Sequence, residues 1–302
     1  MRRLLPSRLL HNGIVLITLS MALSPMGDAL SKQLGAQMPA LSIVFLRYLT
    51  AGLLALALAR ALGRPLRLPG EGRGALLLST ALVMAAMTLL VAALARAPLG
   101  LAVGAFMVAP LVAMLAAALL FGERLSAMRI LGALVGFAGA LMILRPAGSI
   151  QPAILLALAG GICLGLFLAL NRHRGGHGDA VSALAMQCLL GSAMLAPLAL
   201  PGLLTGLPAA AWPALMPWLL LLGALTAATH FLTVAAYGRA DAALLAPFFY
   251  VNLAAALAIG ILWFGERPGP GAVLGLGLIA AGGLIGAQKP LGMIPRRGPE
   301  FG

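Results

Sequence analysis

The sequence predicts an all-helical (all-α) integral membrane protein with ten transmembrane helices, arranged as two inverted five-helix repeats. Of its 302 residues, 62% are hydrophobic and only 9% are charged. Soluble domains carry about 25% charged residues, so most of the surface of this chain is expected to face lipid. Two further observations, an internal repeat and an uneven distribution of positive charge, favour the doubled and inverted arrangement.

The internal repeat is anchored on two copies of a Phe-Gly-Glu-Arg motif. Arg96 precedes Glu123 of the first copy by the same interval as Arg239 precedes Glu266 of the second. Glycines follow each glutamate at the same two spacings. We therefore divide the chain into a first repeat over 1–147, a second repeat over 148–290 and a C-terminal tail over 291–302, whose end is interpreted as a cloning remnant.

Ten apolar stretches are long enough to cross a bilayer, which takes roughly 20 residues. The first stretch follows Met1-Arg2-Arg3 and resembles a signal peptide, but it is longer than the core of one, so we assign it as a membrane helix. Five spans in each half mean that the second half enters the membrane upside down relative to the first. The predicted spans are 13–31, 40–62, 74–95, 98–121, 127–144, 152–170, 180–200, 213–236, 242–264 and 271–287.

The positive charges favour one side of this predicted bundle. With the N-terminus in the cytoplasm, fifteen Lys and Arg residues lie on the cytoplasmic side and four on the other, while Arg47 lies inside the second span. Because cytoplasmic connectors carry the excess of Lys and Arg, both termini are predicted to be cytoplasmic. The connector after the second span holds four arginines, whereas its counterpart over 201–212 holds none. Charge thus follows the side of the membrane and not the position in the repeat.

The ten spans in two repeats, the two Phe-Gly-Glu-Arg motifs and the glycine-rich span after each motif resemble the drug/metabolite transporter superfamily. Within it, the EamA-type exporters are most similar, over roughly residues 10–290. The resemblance implies a multi-pass protein of the bacterial inner membrane that exports small metabolites by alternating access. It favours amino acids, broadly or of the aromatic and hydrophobic kinds, as in exporters of the YddG type. Nucleosides and cationic drugs remain alternative substrates. The resemblance also implies a central cavity formed chiefly by spans one, three, four, six, eight and nine.

Other classes of function find less support in the sequence. No G-x-x-x-x-G-K-[ST] motif is present, so this chain alone is not expected to use ATP. An intramembrane enzyme needs converging acids, bases or metal ligands, and the chain has only seven acidic residues and four histidines. A membrane scaffold without transport is the third hypothesis. The basic residues lack interleaved aromatics, so we expect contacts to lipid and substrate but not to nucleic acid. We expect no cofactor or metal, and a monomer or weak dimer.

His230 is the strongest candidate for contact with substrate. It lies deep in the eighth span among threonines, where a polar group is costly unless it has a partner or a function, and its protonation changes near neutral pH. Asn252 lies in the middle of the ninth span, shortly after Pro247, and Pro110 interrupts the fourth span. Proline frees a backbone carbonyl, which membrane helices tolerate where protein or water satisfies it. The two prolines therefore indicate either a central site or ordinary packed kinks.

Further residues are predicted to line the cavity. Polar side chains within the spans offer hydrogen bonds, whereas methionines and aromatic residues offer adaptable apolar walls. The same methionines could equally serve helix packing. The predicted lining residues are Thr18, Met21, Met84, Thr88, Phe106, Met107, Gln187, Phe248 and Tyr250.

Few charged residues remain as candidates for coupling transport to protons. Asp28 lies four residues before Lys32, a spacing that predicts a local ion pair, which Arg47 joins unless it extends to the membrane surface. Asp28 and His230 are nevertheless the two coupling candidates. Glu123 and Glu266 could carry protons, but we expect each to pair with the arginine that follows it and to stabilise the next helix.

Three groups of residues receive structural interpretations. Arg96 and Arg239 are assigned to short connectors, without substrate contact. The glycines of the fifth and tenth spans are predicted to permit close packing of helices, or a dimer face. The loop with His173 and His177 could be a metal site, but its glycines prevent a helix from fixing both histidines on one face.

Overall fold

The computed structural model describes residues 12–64, 73–122, 126–144, 151–174, 180–206, 208–237, 239 and 245–287. Within these ranges the regular structure is helical, as predicted, and contains no strand. Two 3₁₀ segments, Ala209–Ala211 and Ala246–Tyr250, lead into longer helices. The α-helices are α1 (Gly13–Leu34), α2 (Ala40–Ala61), α3 (Arg73–Leu94), α4 (Leu99–Phe106), α5 (Ala109–Phe121), α6 (Ala127–Leu144), α7 (Pro152–Arg174), α8 (Ala180–Gly206), α9 (Trp212–Tyr237), α10 (Val251–Phe264) and α11 (Pro270–Ala287).

Seven helical stretches in the described ranges are long and apolar enough to cross a membrane. They are α1, α2, α3, α4 together with α5, α7, α8 and α9. Three shorter apolar stretches correspond to the fifth, ninth and tenth predicted spans: Ile130–Ile143, Phe248–Phe264 and Pro270–Gly286. The multi-pass helical architecture is therefore confirmed, and the number of ten crossings stays a prediction.

The fourth predicted span is a broken helix. α4 ends at Phe106, and α5 begins at Ala109 with Pro110 in its first turn. Proline is well accommodated there because the first N–H groups of a helix have no partner inside the helix. In the ninth predicted span, Pro247 lies in the 3₁₀ segment before α10. Both equivalent spans are thus irregular near their prolines, at positions that do not superpose.

The glycine-rich helices α6 and α11 pack so closely that their backbones are in contact. A Cβ atom added to Gly132 would lie 2.5 Å from the carbonyl oxygen of Gly282, and one added to Gly139 would lie 2.5 Å from that of Gly275. The earlier glycine of α6 meets the later glycine of α11, so the two helices run antiparallel. Only residues without a side chain permit this approach, and the predicted packing role of these glycines is confirmed.

The helices of the two repeats interleave throughout the bundle. α1 packs on α9, α3 on α7, and α4 on α10. α2 and α8 also run antiparallel, because Gly52 meets Leu189 while the earlier residue Ser42 donates a hydrogen bond to the later residue Ala199 (3.4 Å). Most helix contacts that build the core therefore join one repeat to the other.

Candidate functional site

A buried ion pair joins α1 to α2, and both of these helices pack on α9 of the second repeat. Arg47 of α2 donates from Nη1 to Asp28 Oδ1 of α1 at 3.2 Å, and both side chains are only 8% exposed. The same Nη1 lies 3.5 Å from Ser31 Oγ. The predicted pair of Asp28 with Lys32 is therefore wrong, and Arg47 does not extend to the surface. A buried carboxylate needs a cation that is also buried, and Lys32 binds elsewhere.

Thr226 of α9 connects this ion pair to the second repeat. Its Oγ1 accepts a hydrogen bond from Arg47 Nε at 2.8 Å and donates one to Leu222 O at 2.8 Å. Its backbone oxygen lies 3.0 Å from Nδ1 of His230. A carbonyl oxygen can only accept, so the proton of the imidazole lies on Nδ1 and leaves Nε2 available. The two coupling candidates, Asp28 and His230, thus lie at opposite ends of one polar chain.

His230 is exposed although it lies on the protein-facing side of α9. Leu215, Leu219, Leu222 and Thr226 recur at spacings of three and four, and all are buried. They mark the face of the helix that packs on protein. His230 continues this stripe four residues after Thr226, yet its side chain is exposed. We therefore infer that His230 faces a cleft between helices.

Two residues predicted to contact substrate each have one buried polar atom without a hydrogen-bond partner. These atoms are Oδ1 of Asn252 and Oγ1 of Thr88, and Oγ1 of Thr80, two turns earlier on α3, shares this property. An unpaired buried polar atom costs about 1–3 kcal/mol. Such atoms become useful where a substrate or water reaches them in another conformation.

The predicted apolar lining residues are packed in this conformation. Met84 is 2% exposed and its sulfur lies against Gly191 of α8, while Phe106 is 4% exposed. The hydroxyl of Tyr250 is directed at Gly283 of α11. Met107 and Gln187 are partly buried.

A small cluster brings together the first half of α1, the end of α9 and the residues before α10. The cluster includes buried Leu16 and Leu245, and Met21 and Phe248 pack against it. Thr18 donates to Ile14 O within α1 (2.8 Å). Ser20, which was not among the predicted site residues, donates from Oγ to Thr229 O at 2.7 Å, and the same Oγ lies 2.8 Å from Thr233 Oγ1. The sequence feature that could have indicated this contact is a serine within the apolar first span, together with the threonines of the eighth span.

Glu266 has partners that the sequence analysis did not predict. Its Oε1 lies 2.5 Å from Lys32 Nζ, and its two carboxylate oxygens lie 2.8 and 2.7 Å from the backbone nitrogen of Leu99. The predicted local pair with Arg267 is therefore wrong for this motif. The other motif glutamate, Glu123, lies outside the described residues.

The equivalent arginines of the two connectors are exposed. Arg239 donates to Ala235 O of its own helix at 2.7 Å, and Arg96 is exposed. Arg96 also lines a cavity of about 230 Å³ between the α1–α2 connector and α3. A second cavity of about 140 Å³ lies between α1 and the start of α9, beside Trp218. Neither cavity is lined by a residue predicted to bind substrate.

Comparison with known proteins agrees with this architecture. A model of the EamA-like transporter family matches residues 11–145 and, a second time, residues 151–285. A riboflavin transporter of Rhizobium johnstonii is 31% identical over 202 residues, which are 65% of this chain and 64% of that relative. The match thus spans less than two thirds of the length of the relative. A crystal structure that is 20% identical superposes with a TM-score of 0.62, over 89% of this chain and 94% of the other, and indicates a shared fold.

Proposed function

Because this chain belongs to the EamA-like transporter family, we propose that it is a secondary transporter that exports small metabolites across the bacterial inner membrane by alternating access. The antiparallel packing of α6 on α11 and of α2 on α8 supports inverted repeats, since these helices occupy equivalent positions in the two halves. Inverted repeats that rock around a shared central site are typical of secondary transporters. The proposed topology has ten spans with both termini in the cytoplasm.

One observation carries the proposal: a chain of hydrogen-bonded polar side chains crosses the boundary between the repeats inside a largely apolar bundle. It runs from Asp28 through Arg47 and Thr226 to His230, which is accessible at its far end. Ionisable residues inside a membrane protein are costly and mark pathways for substrates or protons. The free Nε2 of His230 offers a hydrogen bond to a polar substrate that enters the cleft.

Riboflavin is the first substrate to test. The support is the curated relative, whose name states that it transports riboflavin. Amino acids are the second candidate, because the repeat motifs of the sequence resemble those of amino-acid exporters. Both compounds carry hydrogen-bonding groups that His230 and Asn252 could bind.

Counterflow in proteoliposomes tests the proposal. Purified protein is reconstituted, the vesicles are loaded with an unlabelled compound, and uptake of the labelled compound is measured for riboflavin, a panel of amino acids, a nucleoside and a cationic drug. We expect uptake above that of protein-free vesicles for riboflavin or an amino acid. Uptake of the cationic drug alone would overturn the substrate assignment. No uptake of any compound would favour a scaffold without transport.

An imposed pH gradient separates the two possible energy sources. A proton antiporter accumulates substrate against its own gradient when the pH gradient is present, whereas a facilitator only equilibrates it. We propose Asp28 and His230 as the groups that would carry the proton. Replacing His230 should abolish accumulation while leaving exchange measurable, if the protein is an antiporter. Asp28 is replaced together with Arg47, because removal of one partner of a buried ion pair destabilises the protein.

A further inference from the structure

The second Phe-Gly-Glu-Arg motif folds back on its own helix. Gly265 ends α10 in the left-handed conformation, with φ of +64°, which favours glycine. This turn lets the backbone N–H of Glu266 donate to Gly260 O at 3.0 Å. The carboxylate of Glu266 lies so close to Gly260 that a Cβ atom there would be 2.5 Å from Oε2. The motif thus fixes both the backbone and the side chain of this glutamate.

The fixed carboxylate binds the other repeat. Its two oxygens accept the N–H of Leu99, the first residue of α4. The N-terminus of a helix has unpaired N–H groups and a positive partial charge, so a carboxylate is favourable there. Glu266 therefore acts as a cap that is supplied by the second repeat to a helix of the first.

Lys32 completes the arrangement from α1. Its Nζ lies 2.5 Å from Glu266 Oε1 and donates to Ala97 O at 2.6 Å, 5.0 Å from the centre of the Phe264 ring. The two charged side chains are only 19% and 12% exposed, so water screens the pair less than it screens a surface pair. The ends of α1 and α10 and the start of α4 are thereby held at one point, which we call the Lys32 end of the bundle.

The opposite part of α9 carries the exposed His230. α9 begins at the Lys32 end, where Leu215 and Trp218 line a cavity with Leu30 and Leu34 of α1. The exposed His230 lies twelve residues after Trp218, which is about 18 Å along the helix. The charged contacts between the repeats therefore lie at the Lys32 end, and the exposed His230 lies well away from them along α9.

We propose that Lys32 and Glu266 form a latch between the repeats, which keeps the Lys32 end closed and separates once in each transport cycle. This inference rests on the proposed alternating-access function. Separation would leave the Leu99 N–H and both charges to be hydrated, so the latch biases the transporter towards the conformation described here. A permanent structural cap is the competing explanation, and it makes different predictions about accessibility.

Thiol labelling of two reporter cysteines distinguishes the two explanations. The native Cys163 and Cys188 are first replaced by alanine. Ala29→Cys then reports on the Lys32 end, since Ala29 is fully buried one turn before Lys32 and belongs to the same apolar cluster as Leu99. Val234→Cys reports on the opposite side, four residues after His230, where Val234 is 37% exposed. Each reporter is labelled with a water-soluble maleimide, using full-length protein in lipid nanodiscs.

We expect Lys32→Gln and Glu266→Gln each to raise the labelling rate of Ala29→Cys about tenfold, because each substitution removes roughly one charged hydrogen bond from the latch. Each should also lower the labelling rate of Val234→Cys. Arg267→Gln removes a neighbouring, exposed charge and should leave both rates unchanged. Lys32→Gln leaves the Glu266 carboxylate bound to the Leu99 N–H, so this variant still tests the latch if Glu266→Gln does not fold. An unchanged labelling rate at Ala29→Cys overturns the latch in favour of a permanent cap. Any result at Val234→Cys other than a decrease overturns it in favour of a general loosening of the bundle.

The labelling needs no substrate, so its outcome is independent of the transport assay. If the unmodified protein transports and the labelling rates do not respond, the latch is wrong and the proposed function stands. If the rates change in opposite directions and none of the tested compounds is carried, the latch stands and only the choice of substrates fails, because a scaffold without transport does not exchange the accessibility of its two sides.

Discussion

Arg47 of α2 donates a hydrogen bond from Nε to Thr226 Oγ1 of α9 at 2.8 Å, across the boundary between the repeats. The same guanidinium pairs with Asp28 of α1. One arginine thus holds helices of both repeats together inside the bundle. Any motion of one repeat against the other that moves α9 away from α2 must exchange these partners for water or substrate.

Loss of the threonine hydroxyl should destabilise the protein. Thr226→Val keeps the shape of the side chain but leaves Arg47 Nε without its acceptor, at an expected cost of about 1–3 kcal/mol. Unfolding of purified protein in mixed micelles measures this difference. Thr205→Val is the matched control, because Thr205 is exposed and bonds only within its own helix, to Pro201 O. Equal stability of the two variants would show that the contact between Arg47 and Thr226 contributes nothing.

Replacing one residue of the buried ion pair should destabilise the protein more than replacing both residues. Asp28→Asn leaves the charge of Arg47 without its carboxylate, and single removal of a buried partner costs about 3–5 kcal/mol. Asp28→Asn combined with Arg47→Met removes both charges and should recover part of the folded yield. A double-mutant cycle measures the coupling. Additive losses in stability would contradict a direct interaction.

The close approach of α6 and α11 should not tolerate a methyl group. Gly132→Ala places a Cβ atom 2.5 Å from Gly282 O, so the helices must separate, at an expected cost of about 1–3 kcal/mol. Gly277→Ala on α11 is the control, since nothing lies within 4 Å of its added Cβ. Thermal unfolding temperatures of both variants in detergent provide the comparison. Similar temperatures would mean that the two helices do not pack as described.

The proposed contacts to substrate predict a loss of transport without a loss of stability. His230→Ala and Asn252→Ala should each lower the rate of counterflow about tenfold, which corresponds to about one lost hydrogen bond to a polar substrate. Unfolding temperatures should change little for His230→Ala because its side chain is exposed. Unchanged transport kinetics in both variants would remove these residues from the site.

The sequence predicts the helical content and the repeat because both depend on local composition and spacing. Helices α6 and α11 even begin and end at positions related by the same offset as the two motifs. The partners of the charged residues could not be predicted in this way. The local spacing of Asp28 and Lys32 suggested a pair, but tertiary contacts with Arg47 and Glu266 outweigh it. Similarly, no sequence pattern shows that Glu266 binds a backbone N–H of the other repeat.

The predicted lining residues illustrate a second limit. Met84 and Phe106 are buried in the conformation described, whereas His230 is exposed. In a protein that alternates between conformations, the residues facing the cleft differ from state to state. A sequence indicates which helices can contribute to such a cleft, but the conformation decides which side chains reach it.

Two repeats of opposite orientation place equivalent residues on opposite faces of the membrane. Leu62 and Thr205 occupy equivalent positions in the two repeats, and both are exposed at helix ends. The decisive measurement is the labelling of Leu62→Cys and Thr205→Cys by an impermeant maleimide, in intact cells and in inverted membrane vesicles, with the native cysteines replaced. Inverted repeats predict that Leu62→Cys reacts only from the cytoplasmic face and Thr205→Cys only from the opposite face. Reaction of both cysteines from the same face would contradict the claim.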